Sequence, residues 1–376
     1  MKLTNNLQPA SVLDYTENAE DEETYKLIEE LGFLEFPSSG IPKFSNPGQR
    51  VMNNIEREVR DSLSKFCFNE VRYPTLQDPS IYKKSGRHEK FSDEFFEASE
   101  EKIIAPTQEE AFLEEVEERL LTEKHLPISL FEVTYKFRDC GAEKGIMRNK
   151  EFLMADAFSL HKNEDSLYNT IGNFEEAVFD IGDRLNIGVE KVEKTSDYVD
   201  YVVETDDGYI ETDSGNLSSS IAMYYIDDGN ILEDYSFKTD EDPILCSYGI
   251  GISRLFHGVV EENKYSDGID FPESIKPYDL SLIPVFPDEK THIDYCDDLY
   301  QKLRESGINV LYDDRKRRGI RQKEEQHLYY GVEDSILVGD NEIEKNVLTL
   351  STKEEESKTS LNKIIQEFNK IKGRSK

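Results

Sequence analysis

The sequence predicts an α+β domain over residues 25–272, followed by a smaller α/β domain over 276–376 and preceded by an acidic arm at 1–24. Three observations carry this. Between residues 50 and 270, helix-spaced stretches are interspersed with strand-like segments, two of which read as a hairpin. After "FPESIKPYD", strand and helix patterns alternate, as in a small domain with a mostly parallel sheet. The 376 residues, 37% hydrophobic and 11% aromatic, suffice for two or three cores.

The elements follow in order. "YKLIEELGFL" has helical spacing, and the Pro-, Gly- and Ser-rich "FPSSGIPKFSNPG" reads as a loop. From about Arg50 to Phe66, Val51, Ile55, Val59 and Leu63 recur every four residues on one helix face. "NEVRYPTLQ" alternates like a strand that meets Pro74. "IIAPTQEEAFLEEVEERLL" reads as strand, turn and helix, with Phe112, Val116 and Leu120 as its buried stripe. "ISLFEVTYKFRD" and "EFLMADAFSLH" form the hairpin, with a loop of roughly ten residues. A helix follows near Leu167–Leu185, then the strand-like "YVDYVVET", "GYIETDS" and "AMYYID". "CSYGIGISRLFHGVVEE" is a strand end running into a helix. In the second domain, "DLSLIPVF", "INVLYDD" and "DSILVGD" are strands, with helices between them. The tail after Leu350 is polar, then helical in "LNKIIQEFNKI".

Composition narrows the function. No apolar run approaches the ~20 residues that span a bilayer, so no membrane partner is expected. The opening residues lack a signal-peptide core, which makes the cytoplasm the default location. Cys67, Cys140, Cys246 and Cys296 are far apart and the six histidines show no metal spacing, which argues against disulfides and structural zinc. The net charge of −34 argues by itself against a nucleic-acid partner. Any phosphate chemistry must come from locally placed cations.

Such cations cluster in "YKFRDCGAEKGIMRNKEF". Phe152 and Asp156 share a strand face; Arg148 joins them if the strand begins early enough, and an antiparallel partner adds Arg138. Guanidiniums flanking an aromatic plane suit a nucleotide, the ring stacking on a base and the arginines forking onto phosphate. The same residues also fit an ordinary basic hairpin packed by a core Phe. In "SYGIGISR", Gly249 and Gly251 remove side chains ahead of Arg254, either for a ligand or for a close strand–helix contact. Thr107 and Glu110 have capping-box spacing. That leaves Glu109 unexplained, and a carboxylate plus a hydroxyl at a helix entrance could hold an ammonium group.

Taken together, these segments resemble the class II aminoacyl-tRNA synthetases, most closely the prolyl enzymes of bacterial type. "VMNNIEREVRDSL…NEVRYP" is similar to motif 1 with its proline, here Pro74. "IYKKSGRHEKF" and "IIAPTQEEAF" resemble the "SGR" and "PT-x-E-E" segments of the prolyl family. "LPISLFEVTYKFRD…GIMRNKEFLMADAFSLH" resembles motif 2, "SYGIGISR" motif 3, and "PYDLSLIPV…VLYDDRKRRGIRQKEE…GVEDSILVGD" the anticodon-binding domain. The resemblance implies a mostly antiparallel synthetase sheet flanked by helices, ATP with Mg2+, proline and tRNA(Pro) as partners, and a homodimer. Arg138 would hold the α-phosphate and the amino-acid carboxylate, Phe152 would stack on adenine, and Arg148 and Arg254 would reach toward the γ-phosphate. Thr107 and Glu109 would receive the imino group beside Gly249 and Gly251. Arg315, Lys316, Arg317, Arg318 and Arg321 of "DDRKRRGIRQK" would face the anticodon.

The chain also departs from the family pattern. Cys140 replaces the Glu of the motif 2 Arg-x-Glu, "GAEK" replaces a basic loop tip, and "DGNILEDYS" carries Glu233, a candidate ATP or metal contact, where the family has a His-containing segment. No editing-domain-sized insertion fits between Leu160 and Ile210. These departures keep two alternatives open: a paralogue that adenylates an amino acid and hands it to a non-tRNA acceptor, and a non-catalytic tRNA-binding homologue.

Overall fold

The computed structural model describes residues 2–3, 19, 22–90, 94–99, 101–119, 122–142, 145–203, 220–227, 229–352 and 355–371. The strand expected at "GYIETDS", Leu120 of the helix stripe, Glu143 and Lys144 of the loop tip and most of the acidic arm lie outside them. The contacts divide the chain into one unit of Phe36–Lys43 and Ile55–Glu262, and another of Met1–Glu35, Phe44–Asn54 and Asn263–Lys376.

In the first unit, strands β1 (Asn69–Glu70), β2 (Ile128–Phe137), β3 (Glu151–His161), β4 (Glu190–Glu193), β5 (Tyr198–Val202), β6 (Ser220–Ile226) and β7 (Ile244–Gly251) form one seven-stranded sheet. Its order is β1-β2-β3-β7-β6-β5-β4. β1 joins β2 in parallel and every other neighbouring pair is antiparallel. This is the mostly antiparallel sheet that the family resemblance implies.

Side-chain alternation gives the sheet two different faces. Tyr201, Tyr224 and Tyr248 occupy one, and Phe174 from a long helix packs 4.7 Å from the Tyr248 ring centroid. That helix, Glu164–Leu185, buries Leu167, Ile171, Phe174, Val178, Ile181 and Leu185 at helical spacing. Asn163 caps its start by accepting from Ser166 N at 3.0 Å, and Asn186 ends it at φ 51°. The other face is where the polar and small residues gather.

The β2–β3 connection spans residues 138–150, longer than the expected loop, because β2 ends at Phe137, two residues before the expected Asp139; β3 begins at Glu151 as expected. Arg148 therefore lies in the loop and not on the strand. The loop is anchored at its end: Lys150 N donates to Gly40 O at 2.8 Å. Gly40 has φ +76°, and a Cβ there would stand 2.9 Å from Lys150 Cγ, so the contact requires glycine. The Val51, Ile55, Val59 and Leu63 stripe is wholly buried on the helix Asn46–Lys65.

In the second unit, strands β8 (Leu280–Pro284), β9 (Val310–Tyr312), β10 (Ser335–Val338), β11 (Leu348–Ser351) and β12 (Glu356–Thr359) are ordered β9-β8-β10-β11-β12. The first three are parallel, as the strand–helix alternation predicts. β11 and β12 add an antiparallel hairpin where the sequence reads as polar tail. β12 is an almost fully exposed edge strand, so no apolar alternation marks it. Leu282, Leu299, Leu303, Val310, Ile336 and Ile364 centre the core.

Residues 44–54 and 263–272 count with this unit, unlike the predicted boundary. Asn54 Nδ2 donates to Lys276 O at 3.1 Å, Arg50 to Asn309 Oδ1 at 2.9 Å, and Tyr278 Oη to Asn46 Oδ1 at 2.9 Å. Phe33 packs edge-on against Phe271 and Tyr330. Such long-range contacts leave no local pattern. No described helix is long and apolar enough to cross a membrane, and all four cysteines are free thiols.

Candidate active site

The polar face of the seven-stranded sheet floors a cavity of about 450 Å³. Register places Phe152, Met154 and Asp156 of β3 beside Lys136, Thr134 and Glu132 of β2, and beside Gly251 and Gly249 of β7. Met223 and Tyr225 of β6 continue the row. Lys136, fully buried, lies 2.9 Å from Asp156 Oδ2 and 3.3 Å from Glu132 Oε1. Glu132 also accepts from Tyr73 N at 3.0 Å. Asp156 Oδ2 accepts from Thr107 Oγ1 at 3.1 Å and from Gln108 N at 3.0 Å. A buried lysine between two carboxylates is compensated, and this network fixes Thr107 over the sheet.

Three arginines converge on the same cavity from three places in the chain. Arg138, just past β2, donates from Nε and Nη2 to Pro106 O at 3.3 Å, and its guanidinium lies 5.4 Å from the Phe152 ring centroid. Arg148 reaches in from the loop. Arg254 donates to Met147 O and Ser220 O, each at 2.8 Å. Its stem folds over Gly251, where a Cβ would stand 3.4 Å from Arg254 Cδ. Burial, then the charge of Arg138 and more weakly that of Arg148, lowers the Arg254 pKa. Arg138 and Arg254 are thus held by carbonyls, with Asp200 the carboxylate whose charge also reaches Arg254. Guanidiniums oriented in this way suit a polyphosphate. At Gly249 a Cβ would meet Met154 Cε at 2.9 Å, so the glycine makes room for the methionine that lines this part of the wall.

Thr107 and Glu109 line the same cavity. The expected Thr107–Glu110 capping box gives way to other bonds: the Thr107 hydroxyl goes to Asp156, and Glu110 accepts from Ser85 Oγ at 2.9 Å and Arg87 Nη1 at 3.3 Å. The helix there begins at Glu109. Glu109, 2% exposed, pairs with Arg87 through Oε2 and accepts from Ser247 Oγ through Oε1. Arg87 comes from "SGR", quoted above as a segment but not as a site residue. Lys136 was equally hidden, as one charge inside a strand.

Residues 90–264 match the tRNA synthetase class II core domain (G, H, P, S and T), and residues 279–371 match the anticodon binding domain. The chain thus carries a class II tRNA synthetase core and an anticodon-binding domain. It is 25% identical to a proline–tRNA ligase of Ehrlichia canis, over 92% of this chain and 95% of that one. It is 26% identical to one of Zymomonas mobilis, over 88% and 90%. Its fold is similar to that of a Giardia lamblia prolyl-tRNA synthetase in complex with prolyl-adenylate, with TM-score 0.72 at 17% identity, covering 93% of this chain and 76% of that chain.

Within this synthetase core, Glu233 is exposed on a turn and does not line the cavity, so its assignment as an ATP or metal contact is withdrawn. Cys140 does line it, and its thiol donates to Asn149 O at 3.6 Å. The described carboxylates of the wall are Glu94, Glu109 and Asp156. Glu109 faces Arg87 and Asp156 faces Lys136, so these residues do not fit a protein-held magnesium site. The guanidiniums supply the positive charge.

In the anticodon-binding domain the basic run divides in two. Arg315 turns inward, its Nε and Nη2 on the fully buried Asp313 at 2.9 and 2.6 Å. Lys323 is buried and donates to Asp313 O at 3.0 Å, and His327 Nε2 lies 3.0 Å from Asp313 Oδ2. Arg315 is therefore a structural cation, which corrects its assignment to the tRNA surface. Lys316, Arg317 and Arg321 are exposed and Arg318 half-buried. Lys316 pairs with Asp288 at 3.0 Å and Arg321 with Glu325 at 2.8 Å, both at the surface.

Proposed function

We propose that the chain activates proline with ATP, forming prolyl-adenylate, and passes the prolyl group to tRNA(Pro). One observation carries the reading: Arg138, Arg148 and Phe152 of the hairpin and the distant Arg254 line a single cavity with Thr107 and Glu109. Relatives named proline–tRNA ligase match it over about nine-tenths of both chains.

In the first step a proline carboxylate oxygen attacks the α-phosphorus in line, and the bond to pyrophosphate breaks. Such chemistry needs placement and charge neutralisation more than a proton shuttle. Arg138 holds the α-phosphate against the carboxylate. Phe152 carries the adenine. Arg148 and Arg254 draw the outgoing phosphates. Thr107 and Glu109 receive the imino cation, and Gly249 and Gly251 keep the wall thin there. Magnesium would arrive with the nucleotide. In the second step a hydroxyl of the tRNA 3′ end attacks the prolyl carbonyl, the acyl–phosphate bond breaks and AMP leaves, with Lys316, Arg317, Arg318 and Arg321 as the anticodon-side contacts. The same reading includes a homodimer working in the cytoplasm.

Amino-acid-dependent ATP–pyrophosphate exchange over all twenty amino acids tests this. Proline-dependent exchange together with tRNA charging supports it. Exchange without charging would favour transfer to another acceptor, a reading to which Cys140 in place of the family carboxylate gives some weight. No exchange with any amino acid overturns the enzymatic reading.

A further inference from the structure

At the cavity wall Glu109 belongs to a charge arrangement whose other members, Arg87 and Glu110, the roles above leave unused. Arg87 stands between two carboxylates. Its Nη2 meets Glu109 Oε2, and its Nη1 lies 3.3 Å from Glu110 Oε1. Glu109 lines the cavity and Glu110 does not. Both are shut from solvent, Glu109 at 2% and Glu110 at 0% exposure. Glu110 Oε1 also accepts from Ser85, while its Oε2 is buried with no hydrogen-bond partner. The trio carries one positive and two negative charges, and Asp156 nearby shares Lys136 with Glu132, so no spare cation comes from that side. Burial is the main effect on the Glu110 carboxyl; Arg87 opposes it and Glu109 adds to it, and the result is pushed up to about 7. That is the electrostatic signature of one buried carboxylate too many.

We propose that Glu110 is a positioning residue for amino-acid recognition: it shares Arg87 with Glu109, so that Glu109 keeps negative charge for the cationic secondary amine of the substrate. When that amine approaches Glu109, Arg87 can lean onto Glu110, whose free Oε2 offers a second attachment point. The site then holds two cations on two carboxylates, a balanced set. Without Glu110, Arg87 would neutralise Glu109 and the site would have no charge left to offer. The inference rests on the proposed proline activation.

The test uses the full chain and proline-dependent ATP–pyrophosphate exchange at pH 8, above the value of about 7 to which the Glu110 carboxyl is pushed. Glu110→Gln keeps the shape and the bond from Ser85 and removes the charge. It is expected to raise the KM for proline at least about tenfold while leaving the KM for ATP within about twofold. Glu110→Asp, which keeps the charge, is expected to fall between Glu110→Gln and the wild type. The decisive variant is the double change Arg87→Gln with Glu110→Gln. It removes one charge of each sign, leaves Glu109 uncompensated, and is expected to bring the proline KM back to within about threefold of wild type. A merely structural role predicts the reverse, with the double variant worse than the single and both Michaelis constants rising together, and that result overturns the proposal. So does a Glu110→Gln enzyme with wild-type proline KM. Wild-type protein without proline-dependent exchange removes instead the functional reading beneath it.

Discussion

Two groups of cations in this acidic chain look alike in sequence and behave oppositely in structure. One is Arg138, Arg148 and Arg254, spread over more than a hundred residues. They meet at one cavity, where Arg138 and Arg254 donate to carbonyl oxygens. The other is the contiguous run Arg315–Lys323, which splits between a buried carboxylate and the surface. Density of charge along the chain therefore says little about availability. What matters is whether the partner of a cation is a carboxylate, which cancels it, or a carbonyl, which orients it and leaves its charge to act.

The comparison can be broken most severely at Asp313. Asp313→Asn leaves Arg315, Lys323 and His327 facing an uncharged amide, and is expected to cost about 3–5 kcal/mol of stability. Chemical denaturation measures this; an unchanged midpoint would mean that Arg315 is a surface residue after all. Arg138→Ala is expected to lower kcat/KM for pyrophosphate exchange by about 100-fold or more with little change in melting temperature. Wild-type turnover in that variant would remove the site assignment. Lys316→Ala with Arg317→Ala is expected to weaken tRNA binding only several-fold and to flatten its salt dependence, without altering exchange. Filter binding across a salt series would show it, and identical slopes would clear these residues of tRNA contact.

Smaller effects sharpen the contrast between buried and exposed charge. Burial drives His161 down to about 4, its ring lying 2.7 Å from Ser159 Oγ and 3.0 Å from Ser166 Oγ. Its folded value is below its unfolded one, so the unfolded chain takes the proton first. This contribution to stability is intact above about pH 6.5 and is lost as pH falls toward 4. His161→Gln should flatten that part of the stability–pH curve, and an unchanged slope would point to other groups. Cys140→Glu puts a carboxylate beside the arginine cluster and is expected to keep or slightly improve the KM for ATP; a collapse of exchange would assign the thiol a role of its own.

Much of the architecture was legible in periodicity. The Val51–Leu63 stripe announces itself by helical spacing, the β2–β3 hairpin by two strand-like runs, and the parallel β9-β8-β10 core by wholly buried apolar runs that alternate with helices. The even spacing of Phe152 and Asp156 likewise put them on one face. β12 escaped because an exposed edge strand need not alternate. The sequence leaves open whether Arg148 joins the strand, because nothing local shows that the loop is anchored by the Gly40–Lys150 contact. Glu233 was drawn toward the site because its segment stands where the family has a His-containing one, although it is exposed on a turn and lines no part of the cavity.

By itself, then, the sequence determined the element types, the strand faces and the chemical identity of the groups available for phosphate and carboxylate binding, since these follow from local spacing and side-chain chemistry. Only the tertiary structure decided which charges cancel. Arg315 with Asp313, Lys136 with Asp156 and Arg87 with Glu109 are partnerships set by the fold. Electrostatic interaction depends on distance and burial in three dimensions, and neither is encoded in separation along the chain.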